Sequence, residues 1–435
     1  SGQAGKAASG GTIRNIASRA VSVTGDAAVT LENMLFQKNA TTNAAPGLDC
    51  AKLHLAESPK CSAVVHLTGA TATLANVTID GSSQVAIHGD RIRGLALTNV
   101  DLGGAGDEAG ESAIQLRHPL GEIAITGSRI RASASRHISM FTREGQSALT
   151  LRDSKFSGTK KPHGQQGVLV DAGGNANVTV RVTGSSFEDH DSFALHVLGS
   201  DTARVAVTVE KSTFARQQGA IALQTGNSAA LQYRIDQNVV TYARAPAINV
   251  NASGVASGTI TGNTIGESGK PGSGARCGGC AGIALHAPKA GRFEADVTGN
   301  TIQQVDGSAI YASGGGVATM RLVLARNTIR EPFGDAPLSA IMLDAATSAK
   351  DTLRLCADVL DNAISGAWDP QGERAAILMM LNSTAMRVSL PGFTGRDADA
   401  AALYLRTRNR NAAARVFTAD PNVNVFEVAA TCATK

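Results

Sequence analysis

The stretch Asp296-Val297-Thr298-Gly299-Asn300-Thr301-Ile302 decides the fold. It alternates apolar and polar residues, turns at Gly299-Asn300 and ends on the apolar anchor Ile302. Alternation with a period of two marks a strand with one buried face. The same device returns along the chain. Its anchors are Ile79, Leu102, Ile130, Phe156, Phe187, Phe214, Val240, Ile265, Ile302, Ile329 and Ile364. Successive spacings are 23, 28, 26, 31, 27, 26, 25, 37, 27 and 35 residues. A repeat with a period in the twenties means a solenoid.

Two further short strands accompany each anchor. One follows about ten residues later, as in Ala220-Ile221-Ala222-Leu223, Gly282-Ile283-Ala284-Leu285 and Ala340-Ile341-Met342-Leu343. Another leads into the next anchor, as in Val178 to Val182 and Arg321 to Leu324. Helical periodicity is absent until the C-terminal end. Leucine-rich repeats share the period, but they need Leu at fixed offsets and a helix per repeat. Three short strands per turn therefore predict an all-β fold: a single right-handed parallel β-helix of about 13 coils, with a C-terminal cap containing a short helix. Residues 1–12 read as a linker, 13–389 as the β-helix and 390–435 as the last coils and cap. The recurring Asn is expected to stack amide on amide from coil to coil and to tolerate a left-handed backbone. Asp397 to Arg406 is expected to be the helix, with Asp397 as its N-cap. The two long spacings are insertions, one of them Gly266 to Gly282.

Composition agrees with one long body of narrow sheets. There are 47 Gly but only 11 Phe, 4 Tyr and 1 Trp. The formal net charge of +4 is too small for the chain's size to imply nucleic acid, there is no Lys/Arg run, and no nucleic-acid partner is expected. No apolar run reaches the ~18 residues of a membrane span. Six cysteines are present: Cys50, Cys61, Cys277, Cys280, Cys356 and Cys432. Two local pairs and one distant pair read as three disulfides, which places the chain outside the reducing cytosol. Unpaired buried thiols are the alternative. Ser1-Gly2 begins in polar sequence with no signal peptide, as expected of a mature or excised fragment.

The pattern resembles the right-handed β-helix modules of large bacterial exported proteins built from β-strand repeats. The resemblance runs from about Gly11 to Lys435. Its most specific parts are Leu355-Cys356-Ala357-Asp358, Asn362-Ala363-Ile364, Arg387 to Phe393, Asp397 to Arg410, and Cys432. Gly262-Asn263-Thr264-Ile265-Gly266 is similar to the middle of such modules. The resemblance implies a secreted or cell-surface protein and supplies no catalytic residue to carry over. The Cys277–Cys280 loop departs from it.

β-helices also carry polysaccharide lyases and glycosidases, so the fold alone does not decide the chemistry. Glycosidases need two carboxylates about 5–10 Å apart. After the anchors stand Asp80, Gly103, Arg131, Ser157, Glu188, Ala215, Thr241 and Gly266, with no adjacent acidic pair. Asp171, Asn251 and Asp344 follow the second strand on distant coils. Glu188-Asp189-His190-Asp191 with His196 offers acid/base groups or metal ligands, or else a polar turn between Phe187 and Phe193. Asp107, Glu108 and Glu111 form an acidic loop that suits Ca²⁺ or solvent. Cys277-Gly278-Gly279-Cys280 is redox-active or a structural bridge. Arg91, Arg93, Arg117, Arg129, Arg131, Arg136, Arg143 and Arg152 suit an anionic polysaccharide, a protein partner or plain solvent.

The expected function is thus a non-enzymatic exported β-helix, a surface structural or adhesion module that self-associates through coil edges or binds glycan. No cofactor and no metal site is expected. Binding residues are sought among Arg91, Arg93, Arg129, Arg131, Asp189, His190 and Asp191. The rival reading is a carbohydrate-active protein: a polysaccharide lyase or hydrolase, or a tailspike-like glycan binder.

Overall fold

The computed structural model describes residues 9–41, 63–108, 110–159, 166–226, 228–289, 291–334, 338–368, 375–410, 412–429 and 431–432. Their strands fall into three parallel sheets, A, B and C, of 13, 14 and 14 strands. One coil shows the rule. Thr264–Ile265 lies in sheet A, Ile283–Ala287 in sheet B and Arg292–Thr298 in sheet C, and Thr301–Gln303 then returns to sheet A. Up to Ile377–Leu381 each strand joins the strand three places later in sequence, and the fold is a right-handed parallel β-helix. The thirteen strands of sheet A carry the eleven expected anchors and two earlier ones, Ile13 and Phe36. The first strand, Gly11–Arg14, begins inside the stretch expected to be linker.

The chain forms two compact units, Ser1–Ala206 and Val207–Lys435. In each, the inward residues stack into apolar columns. In the second unit Ile248, Ile283, Ile310, Ile341 and Ile377 follow one another in register along sheet B, and all are buried. Each such side chain contributes about 1.5–3 kcal/mol by leaving water. In the first unit Phe156 and Phe187 stack face to face with centroids 4.7 Å apart. Gly258 has a specific task in the second unit. A Cβ there would stand 2.5 Å from the Tyr233 ring, which lies buried beside it on the neighbouring strand.

The expected Asn ladder is present. Asn238, Asn263, Asn300, Asn327, Asn362 and Asn409 run through the second unit, each side-chain N–H donating to the Oδ1 of the next at 2.8–3.0 Å. The left-handed residue, however, is the one before the Asn: Gln237, Gly262, Gly299, Arg326 and Asp361 have positive φ. The amide can then turn inward while its neighbour makes the corner. The first unit uses Ser at this position, with Ser128 N–H donating to Ser154 Oγ and Ser154 N–H to Ser185 Oγ. In its early coils Asn33, Asn76 and Asn99 are themselves left-handed, and their amides link outside the core.

The helix spans Ala398–Thr407, with Asp397 as the N-cap accepting from Ala400 N–H at 2.7 Å. Beyond it Ala414–Thr418 adds the last strand of sheet B, and Phe426–Glu427 the last of sheet C. The Cys356–Cys432 disulfide ties this end to sheet C, with Cα atoms 5.5 Å apart. Cys277–Cys280 is the second bridge. Cys50 and Cys61 lie outside the described residues.

Candidate functional site

A β-helix turns one side chain in two outward, and parallel register stacks these into columns about 4.8 Å apart from strand to strand. On sheet B of the second unit one outward column reads Gln224, Asn251, His286, Ser313 and Asp344. The parallel column two residues earlier contains Asn249, Ala284 and Tyr311. All except Ala284 are half-buried. This set holds hydrogen-bonding groups and one carboxylate but no Lys or Arg. The outward face of sheet C in the same unit differs: it carries Arg234, Asp236, Glu294, Asp296 and Arg321, much of it ion-paired.

The sheet B groups form one network. His286 Nδ1 meets Ser313 Oγ at 2.8 Å. Tyr311 OH donates to Asp344 Oδ2 at 3.2 Å, and Asn382 Nδ2 donates to Asp344 Oδ1 at 2.8 Å. The imidazole of His286 stands edge-on to the Tyr311 ring, centroids 5.6 Å apart. Burial lowers the His286 pKa, so the imidazole is neutral at neutral pH. Burial and then the Asp344 charge raise the Tyr311 pKa, so the phenol keeps its proton. Asn249 Oδ1 is buried without a hydrogen-bond partner.

The insertion Gly266–Gly282 precedes the sheet B strand that carries His286 and is held by two carboxylates. Glu331 accepts from Ser268 Oγ at 2.6 Å, Gly269 N–H at 2.8 Å and Gln304 Nε2 at 3.0 Å. These donors, the Ser268 hydroxyl first, hold its carboxyl down to about 2. Asp306 accepts from all four backbone N–H groups of Cys277, Gly278, Gly279 and Cys280, at 2.6–3.1 Å. The disulfide loop is thus wrapped around an internal anion. A thiolate formed there on reduction would face that carboxylate, so the geometry is that of a structural bridge.

The residues singled out in the sequence lie apart. Arg129 and Arg131 stand on the outward face of sheet A. Arg131 crosses Gly103 to reach Asp101 at 3.2 Å and Asp80 at 3.4 Å. Arg91 and Arg93 flank the turn after the strand Val85–Asp90 and pair with Glu144 at 3.7 Å and Asp26 at 2.5 Å. Arg143 grips Asp171 at 2.8 Å over the Phe141 ring. These guanidiniums therefore occupy different faces, and most are neutralised by partners within the chain. Asp189, His190 and Asp191 form a turn. Asp189 is left-handed, and His190 is fully buried against His137, with ring centroids 5.0 Å apart. His196 points the other way, outward from sheet B, where Gln166 Nε2 meets its Nδ1 at 3.2 Å. Glu111 is turned into its own loop, where it accepts from the N–H groups of Asp107 and Glu108, both at 2.8 Å. Among the described residues no group of three or more His, Cys, Asp or Glu is placed to hold a metal ion.

From the sequence, His286 stood out only as the one residue near Cys277 and Cys280 that could join them on zinc, and Ser313 and Tyr311 gave no signal at all. Aligning the second strands one below another would have put His286 beside Ser313 and Ser313 beside Asp344. No helix among the described residues is long and apolar enough to cross a membrane. No protein-family model, curated protein or solved structure matches the chain.

Proposed function

We propose that the chain is an exported surface module that binds a neutral glycan along the outward face of sheet B in the second unit. The observation that carries this reading is the unbroken column Gln224, Asn251, His286, Ser313 and Asp344, with Tyr311 beside it. A polyhydroxylated chain offers donors and acceptors in a row, and this column answers with donors and acceptors in a row. Tyr311 and His286 add apolar ring surface against which a sugar ring can lie. Absence of Lys and Arg from the column favours a neutral ligand over an anionic one. The two disulfides and the resemblance to exported β-helix modules support a secreted or cell-surface location.

The test is a glycan array followed by calorimetry on the binders. Neutral oligosaccharides are expected to bind, and Asn251→Ala or Asp344→Ala should each weaken them by roughly 10-fold, the worth of one to two hydrogen bonds. Binding confined to anionic glycans and unchanged in both variants would sink the reading.

A further inference from the structure

We propose that Ser313 is the nucleophile, and His286 its general base, of an esterase that removes acyl groups from the hydroxyls of a glycan held on this face. The inference rests on the glycan reading above and adds a chemistry to it.

Three observations carry it. Ser313 Oγ and His286 Nδ1 are 2.8 Å apart, the distance at which a base takes a hydroxyl proton. They come from adjacent strands of a rigid sheet, in direct register, so no loop has to close to bring them together. On its other side Ser313 borders Asp344, which holds the Tyr311 hydroxyl at 3.2 Å and is itself held by Asn382. Tyr311 thus has its proton directed to a carboxylate, which anchors its ring edge-on to His286 and holds the imidazole against the serine hydroxyl. Tyr311 and Asp344 are positioning residues in this account. The lowered pKa of His286 leaves the imidazole free to accept a proton at neutral pH. Asn251, the register neighbour of His286 on the other side, places an amide donor beside the imidazole in the same column.

The reaction balances with water as the sole co-reactant. Ser313 Oγ attacks the acyl carbon as its proton passes to His286 Nδ1. The bond from that carbon to the sugar oxygen breaks, and His286 returns the proton to the departing alcohol. Water, deprotonated by His286, then attacks the acyl-serine. The carboxylic acid leaves and Ser313 regains its proton. A single carboxylate suffices, which agrees with a face that has no acidic pair for glycoside hydrolysis.

The full chain is treated with an alkyl fluorophosphonate and examined by intact mass and peptide mapping. Acetate release from an O-acetylated neutral oligosaccharide is measured in parallel. One adduct on Ser313 is expected, absent in Ser313→Ala, with acetate release slowed about 100-fold in His286→Gln. Tyr311→Phe, which frees the ring beside His286 from Asp344, should lower kcat with KM unchanged, as loss of base positioning demands. The unaltered chain should bind the deacylated oligosaccharide, and Ser313→Ala should keep its circular dichroism and unfolding midpoint, which shows that the face is folded. Binding of that oligosaccharide with neither adduct nor acetate release overturns the esterase and leaves the glycan reading standing. Absence of binding together with absence of adduct overturns both.

Discussion

Asn300 and Asn327 are joined twice: the side-chain N–H and the backbone N–H of Asn300 both donate to Asn327 Oδ1, each at 3.0 Å. Asn263 makes the same pair of bonds to Asn300. Each rung is fully buried, so each unmet donor or acceptor costs its desolvation. Asn300→Ala removes the acceptor for two donors and should destabilise the second unit by about 2–4 kcal/mol in urea unfolding. Asn300→Ser should cost less. In the first unit the Oγ of Ser154 accepts the N–H of Ser128 and donates to the Arg152 carbonyl, much as Asn300 donates to Thr298. Equal losses for the two variants would contradict this equivalence.

Asp306 predicts the behaviour of the disulfide loop. Asp306→Ala leaves four N–H groups without their acceptor. Charge-assisted hydrogen bonds contribute about 1.5–3 kcal/mol each. Amide exchange at Cys277 to Cys280 should therefore rise by at least about 10-fold, while exchange along the Asn ladder stays unchanged. Exchange at the four amides that matched the wild-type rate would refute the account.

Cys356–Cys432 spans 76 residues of sequence. Loop-closure entropy puts the effect of such a cross-link near 4 kcal/mol. In Cys432→Ser the strands Ala414–Thr418 and Phe426–Glu427, the last of their sheets, should lose protection first. Arg321 also donates to the backbone carbonyl of Cys432 at 2.8 Å, an acceptor that the serine variant keeps, so this contact alone would then tether the end. Native-state exchange that instead began in the middle of the unit would show the bridge to be incidental.

Acid should weaken the first unit. Burial lowers His88 to about 4, helped by the charges of Arg19 and Arg117 and partly opposed by the Asp90 charge and a Gln115 hydrogen bond. Burial also holds His137, which faces His190, well below its usual range. Both are neutral in the fold and ready to charge when unfolded. The unfolded chain therefore binds more protons from pH 6.5 down to the folded pKa, and stability falls through that window by about 1.4 kcal/mol per pH unit for each histidine. Glu111 works in the opposite direction. Burial raises it to about 7, so its cost is present above pH 7 and is relieved as pH falls toward 4.5. A pH series of unfolding midpoints should drop between pH 6.5 and 4.5, and His88→Gln should flatten that limb. A midpoint that held steady or rose on acidification would contradict the sign.

The repeat was legible because burial on one face forces a period of two, and stacking forces each coil to reuse the same position. Eleven anchors of sheet A could be picked by spacing, and Asp397 could be picked as an N-cap from local chemistry. Ile13 and Phe36 were missed because the 43 residues from Phe36 to Ile79 break the spacing that marks the others. The serine rungs were missed because Ser128, Ser154 and Ser185 look like ordinary turn residues until their Oγ atoms are placed against the neighbouring coil.

By itself, then, the amino-acid order determined the sheets, their parallel pairing and the Asn ladder, all of which follow from local periodicity. Tertiary structure alone decided which outward side chains meet. His286 and Ser313 are 27 residues apart and Asp306 lies 26 residues from Cys280, so each pairing depends on the length of the intervening turns. The turns differ in length and are looped out, as the Gly266–Gly282 insertion is between the paired anchors Ile265 and Ile302, so spacing along the chain does not say which outward groups meet. That is why the scaffold could be read along the chain, whereas the candidate site appeared only when the coils were laid one upon another.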